Sequence, residues 1–135
     1  MPKVDIILAD VTKSSDLFRL KNYLRTLFAL FDPRVNTLTF AASITLDAST
    51  ADTFFITLTN NVTGITIKNA ANGRRFTIVF LQDGTGGRTV AGWPADILLS
   101  GASFTVTTNA NRYSSISFVY LNSKWIEVGR TTDVR

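Results

Sequence analysis

Few residues in this chain could do chemistry, and aspartates lead them. Asp47 and Asp52 flank a predicted turn, Asp83 opens the run Asp83-Gly84-Thr85-Gly86-Gly87, and Asp96 comes just after Pro94. General acid–base work would need paired carboxylates at a meaningful spacing, and no spacing here singles out a pair. Each aspartate stands where that residue commonly bonds its own backbone. Loop aspartates also suit calcium, which takes oxygen ligands, but no EF-hand or repeat spacing is present. The chain contains no histidine and no cysteine. Those absences remove the commonest general base, the commonest metal ligand, thiolate chemistry and any disulfide framework. The glycine run does not fit a phosphate cradle, which needs a strand, the turn and then a helix meeting the anion. A strand-like segment, Arg88–Ala91, follows instead, so the run reads as a structural turn. The expectation is a non-enzymatic protein with no metal and no cofactor, acting on no small-molecule substrate.

The elements that would carry these residues centre on Asn72–Pro94. Arg75–Gln82 is dense in β-branched and aromatic residues between the turn dipeptide Asn72-Gly73 and the glycine run. Phe76, Ile78 and Phe80 point one way and Thr77, Val79 and Leu81 the other, which predicts a central strand covered on both faces. Further strands are predicted at Thr37–Phe40, Ser43–Asp47, Thr53–Thr59, Ile65–Lys68, Arg88–Ala91, Ile97–Leu99, Ser103–Thr107, Ser115–Leu121 and Lys124–Arg130. The last two form a hairpin about Asn122-Ser123. Short strands at this spacing predict a mainly β fold, a β-sandwich or jelly roll, and the Thr/Ser-rich alternation falls short of a solenoid repeat. Phe54, Phe55, Phe104, Phe118, Tyr120 and Trp125 alternate along strands and read as core, whereas Trp93 stands in a loop and reads as partly exposed.

Ahead of the strands, Met1–Val11 reads as an extended arm, either an edge strand of its own domain or a segment docking elsewhere through Val4, Ile6 and Leu8. Ser14-Ser15-Asp16 supplies N-cap chemistry for one amphipathic helix ending at Asp32-Pro33. Its face of Leu17, Leu20, Leu24, Leu27 and Phe31 follows a/d spacing, and either lies on the chain's own sheet or forms an oligomer interface. The organisation is therefore an arm and helix over residues 1–35 and a β domain over residues 36–135. The net charge of +4 is spread along the chain and interrupted by Asp16 and Asp32, which argues against a nucleic-acid partner. No apolar run approaches membrane-spanning length, so neither a membrane span nor a signal peptide is expected.

Gly73–Pro94, GRRFTIVFLQDGTGGRTVAGWP, and Thr107–Val128, TTNANRYSSISFVYLNSKWIEV, resemble a β domain of tailed-bacteriophage virion proteins, found in tail-fibre, tail-spike and capsid-associated proteins. The resemblance rests on Gln82–Gly87, Trp93-Pro94, Asn109, Phe118–Tyr120 and Lys124-Trp125, and extends over about Leu38–Val128. Ser114 departs from the pattern, which has an acidic residue there. The resemblance implies a homotrimeric, structural virion protein. A tail fibre would carry a long shaft or attachment module before such a domain. Here an arm and helix precede it, so the resemblance points to a capsid decoration, or cement, protein. Such a protein would assemble in the host cytoplasm and sit on the outer capsid surface against the major capsid protein. The alternative is a tail-fibre or tail-tip receptor-binding domain, with Asp83, Gly84, Gly86, Gly87 and Trp93 as its exposed loops.

Overall fold

The computed structural model describes residues 14–30 and 33–135, and the chain divides into two compact units, Met1–Pro33 and Arg34–Arg135. In the first, α1 spans Ser14–Ala29, with Asp16 in the first turn where negative charge meets the positive end of the helix dipole. Leu30 N donates to Leu27 O at 3.2 Å, a tightened last turn. The predicted apolar face is solvent-facing over much of its length, with Leu17 58% and Leu24 38% exposed and Leu20 half-buried. Phe31 lies outside the described residues, as do Val4, Ile6 and Leu8 of the arm.

The second unit contains β1 (Val35–Leu38), β2 (Ser43–Asp47), β3 (Thr53–Leu58), β4 (Gly64–Lys68), β5 (Arg75–Gln82), β6 (Ile97–Leu98), a short 3-10 turn at Ser100–Ala102, β7 (Tyr113–Leu121) and β8 (Lys124–Val134). Six strands form one sheet in the order β1-β3-β5-β7-β8-β6, and β2 and β4 form another. The pairings β1–β3, β3–β5 and β2–β4 are all parallel. From β1 to β5, odd strands enter one sheet and even strands the other, so the first half of the unit winds as a coil. Strands of a coil stack rung on rung, which aligns Val35 with Thr53 and Thr53 with Thr77. The mainly β, two-sheet expectation holds, but the Thr/Ser alternation does form successive parallel turns, contrary to its reading as no solenoid.

β5 joins the coil to an antiparallel meander, pairing parallel with β3 on one edge and antiparallel with β7 on the other. It is central in the sheet but covered fully on one face only. Phe76, Ile78 and Phe80 are buried, whereas Thr77, Val79 and Leu81 are half-buried. The β7–β8 hairpin turns through Asn122 and Ser123 at φ 51° and 60°, the two positive angles that suit the right-handed twist of paired strands. Two predicted strands do not form as such. Arg88–Ala91 contributes one parallel bridge, Val90 to Val62, and Ser103–Thr107 runs alongside without a ladder while Phe104 and Val106 enter the core.

The residues buried from both sheets form one core, including Ile44 and Leu46 of β2, Ile65 of β4, and Phe54 and Ile56 of β3. At its centre Phe76 meets Trp125 edge-on, with ring centroids 4.7 Å apart, and also Phe118 at 5.3 Å and Phe54 at 5.9 Å. Rings offset or edge-on in this way add about 0.5–1.5 kcal/mol per pair to the gain from burial. Trp93 is half-buried, packed against Phe104 at 6.1 Å and Phe118 at 5.9 Å. Although it follows a loop glycine, its ring caps one edge of the core.

Candidate functional site

The glycine loop is closed by its own side chains. Asp83 Oδ1 accepts from Gly86 N at 2.9 Å and Thr85 N at 3.2 Å, and Gly87 N donates to Thr108 O at 2.8 Å. Amides spent in this way cannot cradle a phosphate. Next to the loop, buried Gln82 donates to the carbonyls of Arg88 at 2.8 Å and Thr107 at 2.7 Å and accepts from Arg88 N at 3.0 Å. Of the predicted exposed positions, Gly84 and Gly87 are exposed and Asp83 is half-buried, whereas Gly86 is buried. A Cβ on Gly86 would stand 2.6 Å from Thr108 O, so only glycine fits between the two segments. Ser114, the departure from the resembling pattern, is buried and accepts from Thr107 N at 2.9 Å, so a shorter side chain still fastens this segment.

Asp47, Asp133 and Glu127 are likewise committed to local bonds, whereas the Asp96 side chain makes none among the described residues. Asp47 accepts from Asn69 Nδ2 at 2.8 Å and from the Ser49 hydroxyl at 2.6 Å, which lowers its pKa to about 2. Asp133 is bonded by Asn109 and Thr107, and Glu127 by Arg130 and Ser100 N, each held below the usual carboxylate range by those partners in that order. A general acid at neutral pH needs the opposite shift. Among the described residues no group of three or more His, Cys, Asp or Glu could hold a metal ion.

A different constellation is built by the fold. Thr53, Thr77, Ser117 and Gly129 fall in register across β3, β5, β7 and β8. Short side chains in one transverse row leave a hollow, and an open groove of about 540 Å³ is lined there by Thr77, Ser117 and Val128, with Arg34, Asp52, Arg74 and Arg75 around it. Arg34 grips Asp52 with both ends of its guanidinium, Nε to Oδ2 at 3.2 Å and Nη2 to Oδ1 at 2.8 Å, and also reaches Ser49 O at 2.9 Å. That pairing holds the Asp52 carboxyl below its ordinary pKa. Arg74 donates to Asn69 O, while Arg75 is exposed and pairs with no carboxylate among the described residues. The Thr77 and Ser117 hydroxyls are bonded at 2.7 Å.

Sequence reasoning counted these arginines as scattered surface charge. The available signal was Arg74-Arg75 immediately after the turn glycine Gly73, but nothing local said that Arg34 would join them.

A family model described as "Putative phage tail fibre C-terminal domain" matches residues 35–124. The chain belongs to this family. No curated protein matches it. The tail fibre family match starts at Val35, the first residue of β1, and ends at Lys124, the first of β8. It therefore takes in the parallel coil, the glycine loop and every groove residue named above except Arg34, Val128 and Gly129. The chain is a bacteriophage structural protein, a component of the virion, as the resemblance implied; the family description names a tail fibre and not the capsid shell.

Proposed function

We propose that this protein is a tail-fibre domain that meets the host surface, a binding module without enzymatic activity. The observation that carries the reading is the tail fibre family match over residues 35–124. The site chemistry agrees with it, since Asp47, Asp52, Asp83, Glu127 and Asp133 are tied into turns and clamps that hold each below the usual carboxylate range. The module acts as a homotrimer. Support for self-association comes from α1, where Phe18 and Phe28 are 64% and 62% exposed beside Leu17, more apolar surface than one short helix usually leaves to water. Repetition of weakly binding sites about a symmetry axis suits surface attachment, because linked contacts gain strength through effective concentration.

The deciding experiment is immunogold electron microscopy of intact virions with antibodies raised against the full chain. Gold at the tail is expected. Gold distributed over the shell would overturn the reading and identify a capsid decoration protein seated on the major capsid protein.

A further inference from the structure

We propose that the groove bounded by Arg34, Arg74 and Arg75 binds an anionic saccharide, a sugar bearing a carboxylate or a phosphate. The inference rests on the host-binding reading above and names the ligand class for it. Charge is the first ground. Three arginines border the groove against one aspartate, and both oxygens of Asp52 are occupied by Arg34. Among the described residues Arg75 keeps its full fork of donors, the geometry that takes up a carboxylate or phosphate through two parallel hydrogen bonds.

The groove floor supplies the second ground. Thr77 and Ser117 share one hydrogen bond, so one of the two hydroxyl hydrogens remains for a ligand oxygen. Polar hydroxyls beneath a guanidinium rim match a sugar ring that carries an acidic substituent. Size is the third ground. A hollow of about 540 Å³ far exceeds what a bare phosphate fills and lies within the range of small-ligand sites. The two aromatic residues of the lining, Phe76 and Phe118, are buried at 2% and 0% exposure and offer no open face for stacking. Recognition therefore depends on the anion. Neutral sugars have no comparable hold.

The test is an amide-shift NMR titration of the full chain with a galacturonate trisaccharide, glucose 6-phosphate, neutral maltotriose and a short DNA duplex. Both anionic sugars, or one of them, should shift the amides of Arg74–Thr77 and Ser117 while maltotriose does not. Response to galacturonate alone assigns a carboxylated sugar, and response to glucose 6-phosphate alone a phosphorylated one. Arg75→Gln, at a side chain that supports no other bond among the described residues, should weaken binding at least tenfold with an unchanged near-ultraviolet circular dichroism spectrum. Arg135→Gln, at an exposed terminus, should change it less than twofold. The proposal is overturned by equal binding of maltotriose, by no shift with either anion, by unaltered binding in Arg75→Gln, or by tighter binding of the duplex at the same amides. Gold at the tail with no saccharide bound would remove this inference alone; gold on the shell with saccharide bound would remove the tail reading alone.

Discussion

Asp83 and Arg88 close the glycine loop as an ion pair, with Asp83 Oδ2 accepting from Arg88 Nη2 at 2.9 Å and Nε at 3.2 Å. The other oxygen of the same carboxylate takes the amides of Thr85 and Gly86. One side chain thus fixes both the start and the return of the loop. Behind it, Gln82 bonds the backbone of Arg88 and Thr107, so the motif that looks most like a binding loop is a fastening between two segments.

Gln82→Leu removes that fastening at nearly constant volume and strands the part-buried amide of Arg88 and the carbonyls of Arg88 and Thr107. Unsatisfied buried polar groups cost about 1–3 kcal/mol each, with partial relaxation here, so the expected loss is about 2–4 kcal/mol. Urea denaturation followed by circular dichroism reads it; a change below about 0.5 kcal/mol would contradict the role given to Gln82.

Two glycines separate backbone strain from close approach. Gly92 and Gly87 have φ of 78° and 76°, but a Cβ on Gly92 would stand 2.1 Å from Thr63 O, whereas on Gly87 it meets nothing within 4 Å. Gly87→Ala should cost about 1–2 kcal/mol, the strain of a left-handed L-residue. Gly92→Ala must also push the Trp93 segment away from β4 and should cost at least about 3 kcal/mol. Equal thermal midpoints for the two variants would show that the contact between these backbones is not tight.

Acid stability should follow the carboxylates alone, since no histidine titrates between pH 5 and 8. Asp47 is lowered from 3.8 to about 2 by Asn69 and Ser49, so its bonds stabilise the fold fully above the unfolded value and are lost as pH falls toward 2. The urea midpoint should hold level from pH 7 to 5 and then drop between pH 4 and 2. Asp47→Asn should lower the plateau and flatten part of that drop. A midpoint that rises on acidification would contradict the sign.

Leu24→Asp tests the exposed face of α1. If this face joins copies of the chain, light scattering should give a trimer mass for the native protein and a smaller mass for the variant, with the strand signal in circular dichroism retained. Equal masses for both would exclude α1 from the interface.

The sequence by itself determined what depends on neighbouring residues. Alternation with period two placed β2 at Ser43–Asp47 and β5 at Arg75–Gln82 with the same bounds that the structure has, because inward and outward positions are set residue by residue along a strand. Asn122-Ser123 marked the hairpin for the same local reason, and the motif around Gln82–Gly87 carried the phage likeness. Tertiary structure alone decided how the strands combine. Parallel pairing of Val35 with Thr53 and Thr53 with Thr77 joins residues with whole strands between them, and neither partner's side chain signals its register in advance. The groove has the same origin. Thr77, Ser117 and Arg34 come to line one groove only through the tertiary fold, and Trp93 packs on the core only because Phe104 and Phe118 arrive from elsewhere to meet it.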